Sequence, residues 1–142
     1  MIEQIKNKRK LLSIIIRANY KSKGIEFFTP KETSHQLGYM HRPKGYIITP
    51  HYHNKVKRVI QTTDETLIIK SGKVRIDFYD EKKKYLMSKI LNKGDVILLV
   101  NGGHGFEMLE KTEIIEVKQG PYLDDKDKTR FDPVTKNKLK IK

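Results

Sequence analysis

The chain has 142 residues, a formal net charge of +13, an apolar fraction of 37% and a charged fraction of 33%. That length suits one domain with a modest core, and the absence of cysteine excludes disulfides and thiolate metal sites. The basic residues are spread from Lys6 to Lys142 and form no interleaved aromatic-basic array, which argues against a nucleic-acid groove and for solvated terminal charge, with attraction of anionic small molecules as the alternative.

In chain order, residues 1–10 read as a basic N-terminal arm, either frayed or a short helix. Residues 11–17 are rich in Leu and Ile and favour a strand. Residues 19–24 form a turn, Ile25 to Thr29 a strand closed by Pro30, and Gln36 to His41 another before Arg42-Pro43-Lys44-Gly45. Tyr46 to His53 is expected to be extended. Thr66 to Lys70 leads into Ser71-Gly72-Lys73, read as a hairpin turn. Residues 74–79 alternate apolar and polar, as a strand with one buried face should. Asp80 to Lys84 turns the chain and Tyr85 to Leu91 returns it. Lys93-Gly94-Asp95 precedes the apolar run Val96 to Val100, which Asn101-Gly102-Gly103 ends. Phe106 to Leu109 and Glu113 to Lys118 are the last strands. Residues 123–142 are expected to be an exposed or loosely packed basic tail, leaving 11–122 as the domain. About nine or ten short strands and no long amphipathic helix predict an all-β sandwich or barrel.

No apolar run approaches the roughly 18–20 residues of a membrane-spanning helix. Lysine and arginine interrupt the first residues too early for a secretory leader. A soluble, cytoplasmic protein is expected, with neither membrane nor nucleic acid as partner.

Histidines carry the chemistry. In a strand, residues i and i+2 share a face, so His51 and His53 would present two imidazoles side by side and Tyr52 the opposite way. Glu65 follows, with Gly72 beyond it. Gly94-Asp95 then opens an apolar strand that ends at Gly102-Gly103-His104. This order resembles the two motifs of the cupin superfamily, over roughly residues 35–120. The interval Asn54 to Asp64 is longer than the family's usual spacing, and Val100 and Met108 stand where the family usually has Pro and Asn.

The resemblance implies a double-stranded β-helix, or jelly-roll barrel, with His51, His53, Glu65 and His104 converging on one divalent metal ion. Imidazole and carboxylate donors suit Zn, Mn, Fe or Ni rather than calcium. Four ligands would leave an open position for catalysis. Asp64 is the other carboxylate available in that interval. His51, His53 and Glu107 are candidate acid–base groups. Tyr39, His41 and Gln36, on an earlier strand, and Arg58 and Lys57, in the loop before Glu65, are candidates for holding a small-molecule ligand.

Cupin folds host unrelated activities, so the fold does not name the reaction. The leading expectation is a metal-dependent isomerase or epimerase acting on a small polar or anionic molecule, of the kind found in sugar or nucleotide-sugar metabolism. Three alternatives stand beside it: a metal-free ketoisomerase or epimerase using histidine as acid and base, an Fe(II) dioxygenase, and a non-enzymatic ligand-binding module. A homodimer is expected, because strands in the segment 11–29 would otherwise leave exposed edges.

Overall fold

A computed structural model describes residues 1–123 and 127–142. Ten strands follow in order: β1 (Ile2–Asn7), β2 (Lys10–Ile16), β3 (Gly24–Phe27), β4 (Gly38–His41), β5 (Glu65–Ser71), β6 (Lys73–Tyr79), β7 (Tyr85–Asn92), β8 (Val96–Leu99), β9 (Gly103–Met108) and β10 (Glu113–Lys118). The single helical turn among the described residues is a 3₁₀ turn at Lys136–Lys138. The chain is therefore all-β. Its named strands pair antiparallel in three sheets: β1-β2-β8-β5-β10, β7-β6-β9 and the hairpin β3-β4.

The core lies between the two larger sheets. Ile5, Leu12, Ile15, Leu67, Ile69, Ile97 and Leu99 come from the five-stranded sheet, and Val74, Ile76, Phe78 and Leu91 from the three-stranded one. In β5, β6 and β8 these are alternate residues, as two packed sheets require. The sheets do not close into a barrel.

The chain passes between the sheets at Gly72. Ser71-Gly72-Lys73 was expected to be a hairpin turn, but β5 and β6 belong to different sheets, so the turn is a corner. Gly72 has φ +78, and a Cβ there would stand 2.2 Å from the Lys111 carbonyl oxygen. Only glycine lets the chain turn so close to that backbone.

Three further expectations differ from what the structure shows. Residues 1–10 are neither arm nor helix: β1 pairs with β2 from Ile2↔Ile16 to Asn7↔Lys10. Glu3 fastens β1 by ion pairs to Arg17 at 2.5 Å and Lys89 at 2.6 Å. Strand β6 was expected to bury one face, yet every residue from Val74 to Tyr79 is buried. On that second face Arg75 and Asp77 are paired with each other, and Ser88 and Glu107 complete the group. The C-terminal segment is docked on β6 and β7 rather than loose. Lys140 N donates to the Tyr85 hydroxyl at 2.8 Å, Ser88 exchanges backbone hydrogen bonds with Lys140 and Lys142, and Phe131 packs edge-on against Tyr79. Residues 124–126 of the expected tail lie outside the described residues.

Strand β2 is not an edge, since it lies between β1 and β8, and β3 pairs with β4. The edges of the large sheet are β1 and β10. No helix among the described residues is long and apolar enough to cross a membrane.

Candidate functional site

Glu65 opens β5, in register with Leu99 on one side and Lys118 on the other. His104 is the second residue of β9, opposite Phe78 of β6. The two side chains come from different sheets and meet at one end of the sandwich, His104 Nε2 standing 3.0 Å from Glu65 Oε2. Glu65 is nearly buried and His104 partly exposed. Lys118 Nζ stands 3.7 Å from Glu65 Oε1 and 3.2 Å from Glu116 Oε1.

The hydrogen bond from His104 holds the Glu65 carboxyl below the ordinary glutamate value, against the upward push of burial. The charges of His104, Lys118 and Lys128 act in the same direction as that bond. An ionised Glu65 accepts from Nε2–H, and in the tautomer that bond selects the imidazole lone pair is on Nδ1.

A depressed carboxylate makes a stability contribution that is present above its unfolded value and lost as pH falls through its lower folded value. The stability difference between wild type and Glu65→Gln is therefore expected to shrink as pH falls below the ordinary value of 4.5. Urea unfolding at a series of pH values reads it. A difference that does not change with pH through the acid range contradicts the pairing.

The pair borders a cavity of about 420 Å³, within the size range of small-molecule sites. Thr63, Tyr79 and Gly103 form part of its wall, and the C-terminal segment supplies Lys128, Arg130 and Phe131. That segment is held on Tyr79, whose hydroxyl accepts from Val134 N at 2.9 Å and whose ring meets Phe131 at 5.0 Å. Gly103 makes room for it, since a Cβ there would come within 2.9 Å of the Phe131 ring.

The four residues expected to share a metal ion fall into two pairs. Glu65 and His104 are joined. His51 and His53 lie side by side with ring centroids 5.4 Å apart, but on an exposed segment that pairs with no strand. His51 Nδ1 is bonded to the Thr49 carbonyl oxygen at 2.9 Å. Neither histidine lines the cavity. Among the described residues no group of three or more His, Cys, Asp or Glu is placed to hold one ion. As arranged, the donors do not form one set.

The other candidates are dispersed. Glu107 is paired with Arg75 at 2.6 Å and does not line the cavity. Tyr39 packs edge-on against Tyr20, 5.1 Å between ring centroids. His41 Nδ1 donates to the Ser22 carbonyl oxygen at 3.0 Å. Arg58 and Gln36 border a separate recess beside Thr66 and Val117, and Gln36 also closes its own turn by donating to the carbonyl oxygens of Pro30 and Thr33. Lys57 and Tyr52 are exposed. Asp64 is buried and structural, accepting from Ser34 Oγ and from His35 N.

Asp95, in the second motif, is also structural. It accepts from Ala18 N at 2.8 Å, Arg17 Nη1 at 2.9 Å and Asn92 N at 3.0 Å. It adjoins the end of β8 away from Leu99, the residue beside Glu65.

Sequence reasoning passed over Tyr79, Lys118, Lys128, Arg130 and Phe131. The available signal was Phe131, the one aromatic in the stretch 123–142, since an isolated ring in a polar tail needs an apolar place to dock.

No family model matches this chain, and comparison with curated proteins and with solved structures found no match.

Proposed function

We propose that the chain is a cupin-like jelly-roll domain that takes a small polar or anionic molecule into the cavity beside Glu65 and His104, and that His104 moves a proton there. The joined Glu65–His104 pair at the edge of that cavity carries the reading. The carboxylate sets the imidazole tautomer and steadies the imidazolium that forms when Nδ1 takes a proton. Removing a proton from carbon beside a carbonyl, and returning it to the other face or to the neighbouring carbon, is epimerase or isomerase chemistry. Negative charge then gathers on the carbonyl oxygen, and Lys118 and Lys128 supply positive charge near this end of the sandwich.

The test is isotope exchange in D₂O with a panel of keto- and aldo-sugar phosphates and nucleotide-linked sugars. Wild type is expected to place deuterium on the carbon next to the carbonyl of one of them. His104→Gln is expected to reduce the rate about 10²–10⁴-fold. Binding without exchange would favour the non-enzymatic module, and an unimpaired His104→Gln would end the proposal.

The divalent-metal reading is supported by the adjacent rings of His51 and His53. It would require the segment around residue 50 to close over the cavity. Elemental analysis of protein purified without added metal separates the two, because that reading expects bound metal to be lost in both His51→Ala and His104→Ala.

A further inference from the structure

We infer that Ser34, Asp64 and Gln119 are positioning residues, joined in a ring of three hydrogen bonds that holds the Glu65 carboxylate against His104. Their part in catalysis rests on the proton transfer proposed for that pair, but the hold itself is measured without any substrate. The ladder between β5 and β10 ends at Glu65↔Lys118. One residue beyond, Asp64 N donates to Gln119 Oε1 at 2.8 Å, so a side chain carries the pairing one step past the backbone ladder.

Gln119 Nε2 donates to Ser34 Oγ at 3.0 Å, and Ser34 Oγ donates to Asp64 Oδ2. His35 N donates to the same carboxylate oxygen at 3.3 Å. The ring closes with no proton missing or to spare. Serine has one O–H, which goes to the carboxylate, and its lone pair takes the amide N–H. The amide sits only one way round, because its oxygen faces a backbone N–H. Asp64 is 1% exposed, so a member lost from the ring leaves a buried polar group short of a partner.

Side chains alternate along a strand. Glu65 and Lys118 point into the sandwich, toward His104, and Asp64 and Gln119 to the opposite face, where Ser34 of the β3–β4 connection meets the sheet. The chain reaches β5 through residues 42–64, none of which belongs to a strand. A first strand residue entered from such a stretch is prone to fray, and Glu65 is that residue. The ring ties down the backbone on its entering side. His104 belongs to the other sheet, so the ladder alone does not set the distance between carboxylate and imidazole. A shift of about 1 Å at Glu65 would stretch the bond to His104 beyond hydrogen-bonding length.

The experiment follows exchange of the His104 Nε2 proton with water by NMR, in the full chain at low temperature and one slightly alkaline pH. Ser34→Ala and Gln119→Leu are each expected to quicken it about tenfold. The amides of Ile76 and Ile97, both fully buried, are expected to keep their wild-type protection. Ser34→Thr retains the hydroxyl, and residue 34 is exposed, so the added methyl has room; this variant is expected to exchange as wild type does. Deuterium incorporation into substrate is expected to slow in the first two variants and not in the third. Quickened exchange of the ring proton, with no substrate turned over by wild type, would keep the hold and remove the reaction. The inference is overturned by an unchanged ring proton in Ser34→Ala and Gln119→Leu, by core amides that quicken along with it, or by Ser34→Thr behaving as Ser34→Ala does.

Discussion

Asp77→Ala is expected to lower the unfolding free energy by about 3–5 kcal/mol, the cost of leaving a buried charge without its partner. Asp77 and Arg75 are both buried. Arg75 grips the carboxylate with Nε at 2.8 Å and Nη2 at 2.9 Å, and that bond raises the guanidinium above its ordinary value. Ser88 Oγ donates to the same carboxylate at 2.5 Å and is itself bonded to the Tyr85 hydroxyl at 2.7 Å. The hydroxyl in turn accepts from Lys140 N.

The substitution therefore reaches the C-terminal segment through hydrogen bonds. Amide hydrogen exchange is expected to quicken at residues 134–142 before the core strands respond. Urea unfolding supplies the stability, and the exposed pair Lys70–Glu113 is the control, since exposed ion pairs contribute little. A loss under about 1 kcal/mol, with exchange in the C-terminal segment unchanged, would show that Glu107 alone suffices for Arg75.

Phe78→Ala is expected to cost a similar amount, about 3–5 kcal/mol, through lost apolar transfer and the cavity left behind. Phe78 is fully buried among Val74, Ile76, Leu91 and the residues of the facing sheet. It also stands directly across from His104, so its loss is expected to loosen the imidazole that Glu65 holds. Phe78→Leu, which retains most of the volume, is expected to cost less. The measurement is the urea midpoint at unchanged slope, which distinguishes lost stability from a changed denatured state. Equal stability of the alanine variant and wild type would mean that the two sheets do not pack through this residue.

Much of the strand order was legible because it is written locally. The Leu- and Ile-rich run of β2, the turn Asp80 to Lys84 and the glycines before His104 each act on neighbours within a few residues. Glu65 and His104 were legible as chemistry by their types and order, and the structure joins them. The pair His51–His53 was legible only as far as adjacency. An i, i+2 rule places two rings together, but it cannot say whether the segment joins a sheet, and residues 46–53 have no strand partner.

Strand β1 was hidden because its sequence has little apolar periodicity. Its hold comes from pairing with β2 and from Glu3 meeting Arg17 and Lys89. The alternation of β6 concealed its second buried face for the opposite reason, since a polar residue at every other position reads as a solvated face. Arg75 and Asp77 look like solvent-facing residues until their ion pair and its partners Ser88 and Glu107 are in place.

By itself the sequence determined an all-β chain and the approximate strands and turns, because side-chain alternation and turn preferences depend on near neighbours. The tertiary structure decided that Gly72 is a corner between sheets, that the C-terminal segment walls the cavity, and that Glu65 meets His104 while His51 and His53 stand apart. Those outcomes depend on strand pairing, ion pairs and burial between residues far apart in the chain, whose free energies no local pattern records.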